Sequence, residues 1–295
     1  MQIKDIVKKV KQIEIRTRKR TENTLMGQYH SAFKGQGMAF AEVRPYQFGD
    51  DIRRIDWNKT ARFKEPYVKV MEEERELTMM ILVDISASMN YGTKIQLKRE
   101  LVAEISASLG FSAAGNNDKV GLIMFSDQLE KYLPARKGSN KALEILRDVL
   151  YLEPEHKNTS LLEALTFANH ILKKRSVVFI LSDFMDSGYN KPLEILAQKH
   201  DVIAIQILDE AELKLPDAGV LNLYDPETGD TLYCNTSATF IQKAYEARVS
   251  KQQEDLTKDL AKMKVDYIML RSRDSHIKAL RTFFEQRRRR LREGR

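Results

Sequence analysis

From residue 77 onward the chain alternates short apolar runs with longer amphipathic stretches, and this alternation restricts the fold more than any other feature. The runs are TMMILVD at 78–84, KVGLIMFS at 119–126, SVVFILSD at 176–183, DVIAIQILD at 201–209 and VDYIML at 265–270. Each is nearly continuous in apolar residues, as strands buried on both faces are. Helical patterns near 93–114, 139–152, 160–174, 190–199, 237–262 and 275–291 separate them. LEKYLP at 129–134 is placed to pair with 119–126, and VLNLYDPETGDTLYCN at 220–235 is a hairpin by its turn residues. The expected fold class is α/β: a doubly wound, mainly parallel sheet flanked by helices, with an N-terminal β-containing extension and a β-hairpin insertion. In such sheets ligands bind in the crevice beyond the carboxyl ends of the strands. No repeat of fixed period interrupts this order.

The first core strand ends on Asp84, and Ser86 and Ser88 follow at every second position. Alternate side chains leaving a strand point the same way, so one carboxylate and two hydroxyls converge at the crevice. That donor set suits a hard divalent cation, Mg²⁺ rather than zinc, with Mn²⁺ or Ca²⁺ as substitutes. Asp183 ends another core strand, and Thr159 stands at the start of a helical stretch. Singly, an Asp, Ser or Thr in these places is an ordinary helix cap. Their conjunction in three loops at one sheet edge favours a metal site built from Asp84, Ser86, Ser88, Thr159 and Asp183.

DISAS at 84–88, followed by Thr159 and Asp183 on this alternation, resembles the von Willebrand factor A domain and its metal-ion-dependent adhesion site. The resemblance is clearest over 77–209 and extends through 270. It implies that the two serines and the threonine bind the cation directly or by exchange, and that the aspartates bind directly or through water. It also implies one coordination position left for an acidic side chain of a protein partner. The last motif reads LSDF, with Phe184 where many relatives carry Gly.

Residues 21–76 differ in character, being rich in Gly, Pro, aromatics and charge, with strand-like pieces near 38–46 and 66–72. Within GQGMAFAEVRPYQFGDDIRRIDWNKTAR at 35–62, Arg44, Asp50, Asp51, Arg53, Arg54, Asp56 and Arg62 alternate in sign around Tyr46, Phe48 and Trp57. This composition predicts an ion-pair and hydrogen-bond network that fixes the segment onto the core, with Trp57 as a buried anchor. A docking surface, or an acid–base site on Asp50 or Asp56, is the functional alternative. The whole string, with DPETGD at 225–230, resembles the bacterial family called domain of unknown function 58. Members of that family carry a von Willebrand factor A core and are commonly encoded beside AAA+ ATPases of the MoxR type. The resemblance therefore implies an adaptor acting with such an ATPase. Many relatives have transmembrane helices, whereas no apolar run here approaches the roughly 20 residues needed to span a bilayer.

The expected organisation is an N-terminal helix and family-specific segment over 1–76, an A-type domain over 77–275 with the hairpin at 220–235, and a C-terminal helix with a basic tail over 276–295. Ile3, Ile6, Val7, Val10 and Ile13 give the N-terminal helix an apolar face. With lysines opposite, it suits a membrane surface, but docking on the protein's own core is the simpler expectation. The net charge of +7 is confined to the ends: residues 1–20 carry +6 and 281–295 carry +5, leaving −4 between them. Nucleic-acid binding through the basic ends is disfavoured because no aromatic platform interleaves with the arginines. A solvated or acid-paired helix end is expected instead. Cys234 stands alone, which excludes an internal disulfide. It is expected to pack rather than react. With no secretory leader pattern, the expected location is cytoplasmic.

GxxxxGK[ST] is absent, so any ATP-linked work would be a partner's. A metal-dependent hydrolase or phosphotransferase at the same site is the rival class. It needs a base, and none of His30, His156, His170, His200 or His276 lies in the DISAS or LSDF motif; His156 is the nearest to a candidate ligand, Thr159. The sequence alone thus favours a non-enzymatic, metal-dependent interaction protein.

Overall fold

The structure is a computed structural model and describes residues 11–17, 21, 25–33, 39–63, 65–72, 76–93, 96–156, 158–224 and 229–293. They fall into two compact units, residues 33–77 and the remainder.

In the smaller unit β1 (Ala39–Pro45) and β2 (Tyr67–Glu72) pair antiparallel, with a register shift between Phe40 and Glu42. A short helix, Trp57–Phe63, lies between them in sequence. Both strands were expected, whereas the helix was not.

The larger unit contains β3 (Thr78–Asp84), β4 (Lys119–Phe125), β5 (Leu129–Arg136), β6 (Val177–Ser182), β7 (Asp201–Leu208) and β10 (Asp266–Arg271). They form one six-stranded sheet in the order β10-β7-β6-β3-β4-β5. All neighbouring pairs are parallel except β4 with β5, so the doubly wound, mainly parallel expectation holds. The intervening β8 (Val220–Tyr224) and β9 (Thr231–Asn235) form the expected separate hairpin, its turn residues 225–228 lying outside the described set.

Burial explains this order. Every residue of β6 is buried, as are all but the first of β3 and β4, whereas β5 buries only Leu133. A strand paired on both sides and covered on both faces is apolar almost throughout; an edge strand need not be. Gly121 lets β4 and β5 approach closely, because a Cβ there would stand 2.8 Å from the Leu133 carbonyl oxygen of β5.

Helices cover both faces. Leu161–Ile171, Asn190–Lys199 and the end of Thr239–Lys262 pack on Met80, Leu82, Ile123, Phe125, Val178 and Ile180. On the other side the Lys98–Gly115 helix packs against Ser139–Tyr151, and His276–Arg292 packs against Met26–Ala32. Residues 11–17 are helical with Ile13 buried; residues 3–10, where most of the expected N-terminal helix falls, lie outside the described set.

The basic run at 287–290 is partly an internal clamp. Arg287 pairs with Asp201 and Asp266, at the amino ends of β7 and β10, and Arg290 reaches Asp266 at 3.0 Å. Among the described residues no helix is long and apolar enough to cross a membrane.

Candidate metal centre

The sheet reverses its winding at β3, from which the chain first goes to β4 on one side and later to β6 on the other. The carboxyl ends of β3 and β6 lie side by side, Val83 being registered with Leu181. Asp84, almost fully buried, accepts from the Ser86 amide at 3.0 Å through Oδ1 and from Ser182 Oγ at 2.7 Å through Oδ2. The first bond folds the chain back on itself, as an Asp two residues ahead of an amide does. A single 3-10 turn, Ala87–Asn90, then carries the fully buried Met89, which pins the loop down.

Ser86 precedes that turn but its hydroxyl caps nothing. It lies instead 3.1 Å from Ser88 Oγ, and Ser88 Oγ donates to Asp183 Oδ2 at 2.8 Å. Four of the five expected residues are therefore brought together. Thr159 is held at the same edge by its neighbours: the Ser160 amide donates to the Ser126 carbonyl just beyond β4, and the Leu161 amide donates to Asp186 beyond β6, both at 2.8 Å. The helix-capping role goes to Ser160, whose hydroxyl accepts from the Glu163 amide.

Phe184 has φ of 57°, in the left-handed region that glycine enters without penalty and that costs another residue about 1–2 kcal/mol. Its amide donates to Ser182 Oγ at 3.1 Å, and its buried ring meets Tyr189 edge-on. The backbone shape that a glycine would give is thus kept, and the side chain fills core.

Two charged residues at this centre were not expected from the sequence. Lys98 is wholly buried, its ammonium 3.0 Å from Asp183 Oδ2 and 2.7 Å from Glu212 Oε1. Glu212 in turn accepts from the Asp209 amide through Oε2 at 2.6 Å, closing a capping box on the Glu210–Leu213 turn. Asp209 collects the hydroxyls of Thr93 (2.5 Å) and Ser272 (2.7 Å). The D-x-x-E spacing at 209–212 was a legible capping signal; nothing in the sequence said that its Glu also meets a lysine.

Burial and the neighbouring Asp183 charge push the Asp84 carboxyl up to about 7. Burial alone would lower Lys98, but Asp183 and Glu212 together outweigh it and raise its pKa. Burial also raises Glu212. Asp209 is the contrast: its hydroxyl and amide donors overcome burial and hold it below the usual carboxylate range. Two carboxylates and two hydroxyls gathered here are a donor set that fits a hard divalent cation. Among the described residues no group of three or more His, Cys, Asp or Glu could hold a metal, so a zinc-type cage is not offered there. His156, half exposed, lies 3.1 Å from Asp127.

In the smaller unit the expected ion-pair network is present in part. Arg44 grips Asp50 with two bonds of 2.8 and 2.7 Å, and Asp50 also accepts from the Gln47 amide. The Arg44 bond, followed by that amide, holds the Asp50 carboxyl low. Arg53 pairs with Asp51 at 3.2 Å, and Asp56 caps the Trp57–Phe63 helix through the Asn58 and Lys59 amides. Arg62 is exposed in that helix's last turn, where a cation suits the helix dipole. The buried role expected of Trp57 is corrected: it is 68% exposed, because this seven-residue helix has no buried residue at all. Phe48 is fully exposed.

A family profile described as "Protein of unknown function DUF58" matches residues 42–255. Uncharacterized protein Rv1480 of Mycobacterium tuberculosis is 32% identical over 220 residues, 74% of this chain and 69% of that protein. Uncharacterized protein Mb1516 of Mycobacterium bovis matches to the same extent. Among solved structures, BatB from Bacteroides thetaiotaomicron is similar at a TM-score of 0.46 and 18% identity, over 72% of this chain and 99% of that one. Proximal thread matrix protein 1 of the mussel byssus, solved with a zinc-occupied MIDAS motif, is similar at 0.36 and 18% identity, over 45% of this chain and 38% of that one.

Proposed function

We propose that the chain, which belongs to the DUF58 family, is a non-enzymatic protein–protein interaction module that works through a divalent cation. Asp84, Ser86, Ser88, Thr159 and Asp183 would hold the ion, Mg²⁺ in the first instance and Mn²⁺ or Ca²⁺ in its place. When bound, the ion supplies an electrophilic point for an acidic side chain of a partner. The chain's own residues orient the oxygens, keep the floor of the site dry and fix the loops that present it. The proposed partner is an AAA+ ATPase of the MoxR type, with this chain as its adaptor in assembling or activating other proteins.

The observation that carries this reading is the gathering of side-chain oxygens beyond the carboxyl ends of β3 and β6: Ser182 on Asp84, and Ser86 through Ser88 to Asp183, the two runs joined by the Ser86 amide on Asp84. Neutral hydroxyls beside only two carboxylates leave a bound divalent ion able to attract one more anion. Affinity capture from native lysate tests it. Wild type with Mg²⁺ should retain the ATPase, whereas EDTA or Asp84→Ala should lose it. Equal recovery in all three would move docking away from the metal, towards a surface such as residues 39–63.

The rival is hydrolysis or phosphoryl transfer at the same centre, and the pairing of His156 with Asp127 is the one observation in its favour. Metal-dependent turnover of a phosphoester that His156→Ala abolishes would establish the rival and displace the adaptor.

A further inference from the structure

Lys98 begins the Lys98–Gly115 helix, with no exposed surface. Nothing about starting a helix asks for a lysine there. The positive end of the helix dipole disfavours a cation, and burying an ammonium is costly unless it is paired. Its position is explained by the two carboxylates it touches, Asp183 at 3.0 Å and Glu212 at 2.7 Å. The atom of Asp183 that receives the ammonium, Oδ2, is the same atom that receives Ser88 Oγ. A candidate ion ligand therefore already carries a positive charge one hydrogen bond away.

We infer that Lys98 is the resident counter-cation of the metal centre: it holds the metal-free loops together and weakens divalent binding. This rests on the metal-centred function proposed above and adds its regulation. Without a divalent ion, Asp84 and Asp183 repel each other across the centre, and Lys98 offsets that repulsion at Asp183. With the ion present, the ammonium is a like charge close by and opposes occupancy. The centre is thereby tuned to fill at high ion concentration, or when a partner's carboxylate adds a negative charge. Glu212 gives the lysine a second acceptor, so it keeps a partner in both states.

Lys98→Met retains most of the aliphatic stem and deletes the charge. Manganese binding, followed by the paramagnetic resonance of free Mn²⁺, should tighten about ten-fold or more, as expected for losing a unit like charge several ångströms from a divalent ion. In EDTA the same variant should melt below wild type, and added Mn²⁺ should shift its melting temperature further upward than that of wild type. Lys98→Arg, which keeps the charge, should not tighten binding. Should Lys98→Met fail to fold, the double variant Lys98→Met/Glu212→Gln removes the orphaned carboxylate; Mn²⁺ should still bind more tightly than to Glu212→Gln alone, which isolates the effect of the ammonium.

Unchanged or weaker Mn²⁺ binding by a folded charge-deleted variant, with wild type still binding, overturns the role of Lys98 and leaves the metal centre standing. No binding by either protein overturns both. Tightening that Asp84→Ala abolishes supports both.

Discussion

Ser182 Oγ donates to Asp84 Oδ2 at 2.7 Å, joining the last residue of β6 to the last residue of β3. The bond is buried and serves a carboxyl whose other oxygen is already taken by the Ser86 amide. Ser182→Ala removes the donor without changing the backbone and leaves a buried acceptor unsatisfied. The loss should be about 1–3 kcal/mol in urea denaturation of the metal-free protein. An unchanged midpoint would show that water replaces the hydroxyl.

The raised pKa of Asp84 has a definite consequence for pH. The unfolded chain releases this proton near the ordinary carboxylate value, about 4, whereas the folded protein holds it until about 7. Between those values the folded state binds more protons, so stability is greatest below about 4 on this account and falls as pH rises through 7. In EDTA, the melting temperature should decline from pH 5 to pH 8. Asp84→Asn, which cannot ionise, should flatten that decline, and saturating Mg²⁺ should do the same for wild type. A wild-type profile that rises over this range would contradict the assignment.

Asp209 binds Thr93, Ser272 and the Ala211 amide, linking the loops after β3, β7 and β10. Asp209→Ala loses a helix cap and two hydroxyl partners together and should cost about 2–4 kcal/mol. Because its folded pKa is depressed, its contribution is present at neutral pH and is lost as pH falls through the folded value. The variant's deficit, measured by chemical denaturation, should therefore shrink on acidification.

Trp57 is the chain's one tryptophan, so intrinsic indole emission reports on the smaller unit alone. Its exposure predicts emission like that of a solvated indole and quenching by acrylamide close to that of a free tryptophan derivative. Blue-shifted, protected emission would restore the buried anchor that the sequence had suggested.

The sheet was legible because strands buried on both faces are almost continuously apolar, and β3, β4, β6 and β7 are, with the hydrogen-bonded Gln206 of β7 as an interior exception. The oxygen cluster was legible for a related reason: polar residues directly after such strands need polar partners, and spacing by two puts them on one side. Lys98 and Glu212 were hidden because a lysine in a first helical turn and a glutamate in D-x-x-E each have an ordinary solvent-side explanation. Only the tertiary fold shows Lys98 lying between Asp183 and Glu212. Trp57 misled for the opposite reason. A lone large aromatic usually finds a core, but its short helix buries nothing.

In the proposed function a divalent ion binds among five named side chains. Crystals soaked in Mn²⁺ and measured for anomalous scattering test this most directly. One manganese peak bounded by oxygens of Asp84, Ser86, Ser88, Thr159 and Asp183 is the expected result. A map at saturating Mn²⁺ with no peak between β3 and β6, and Lys98 still bonded to Asp183, would contradict it.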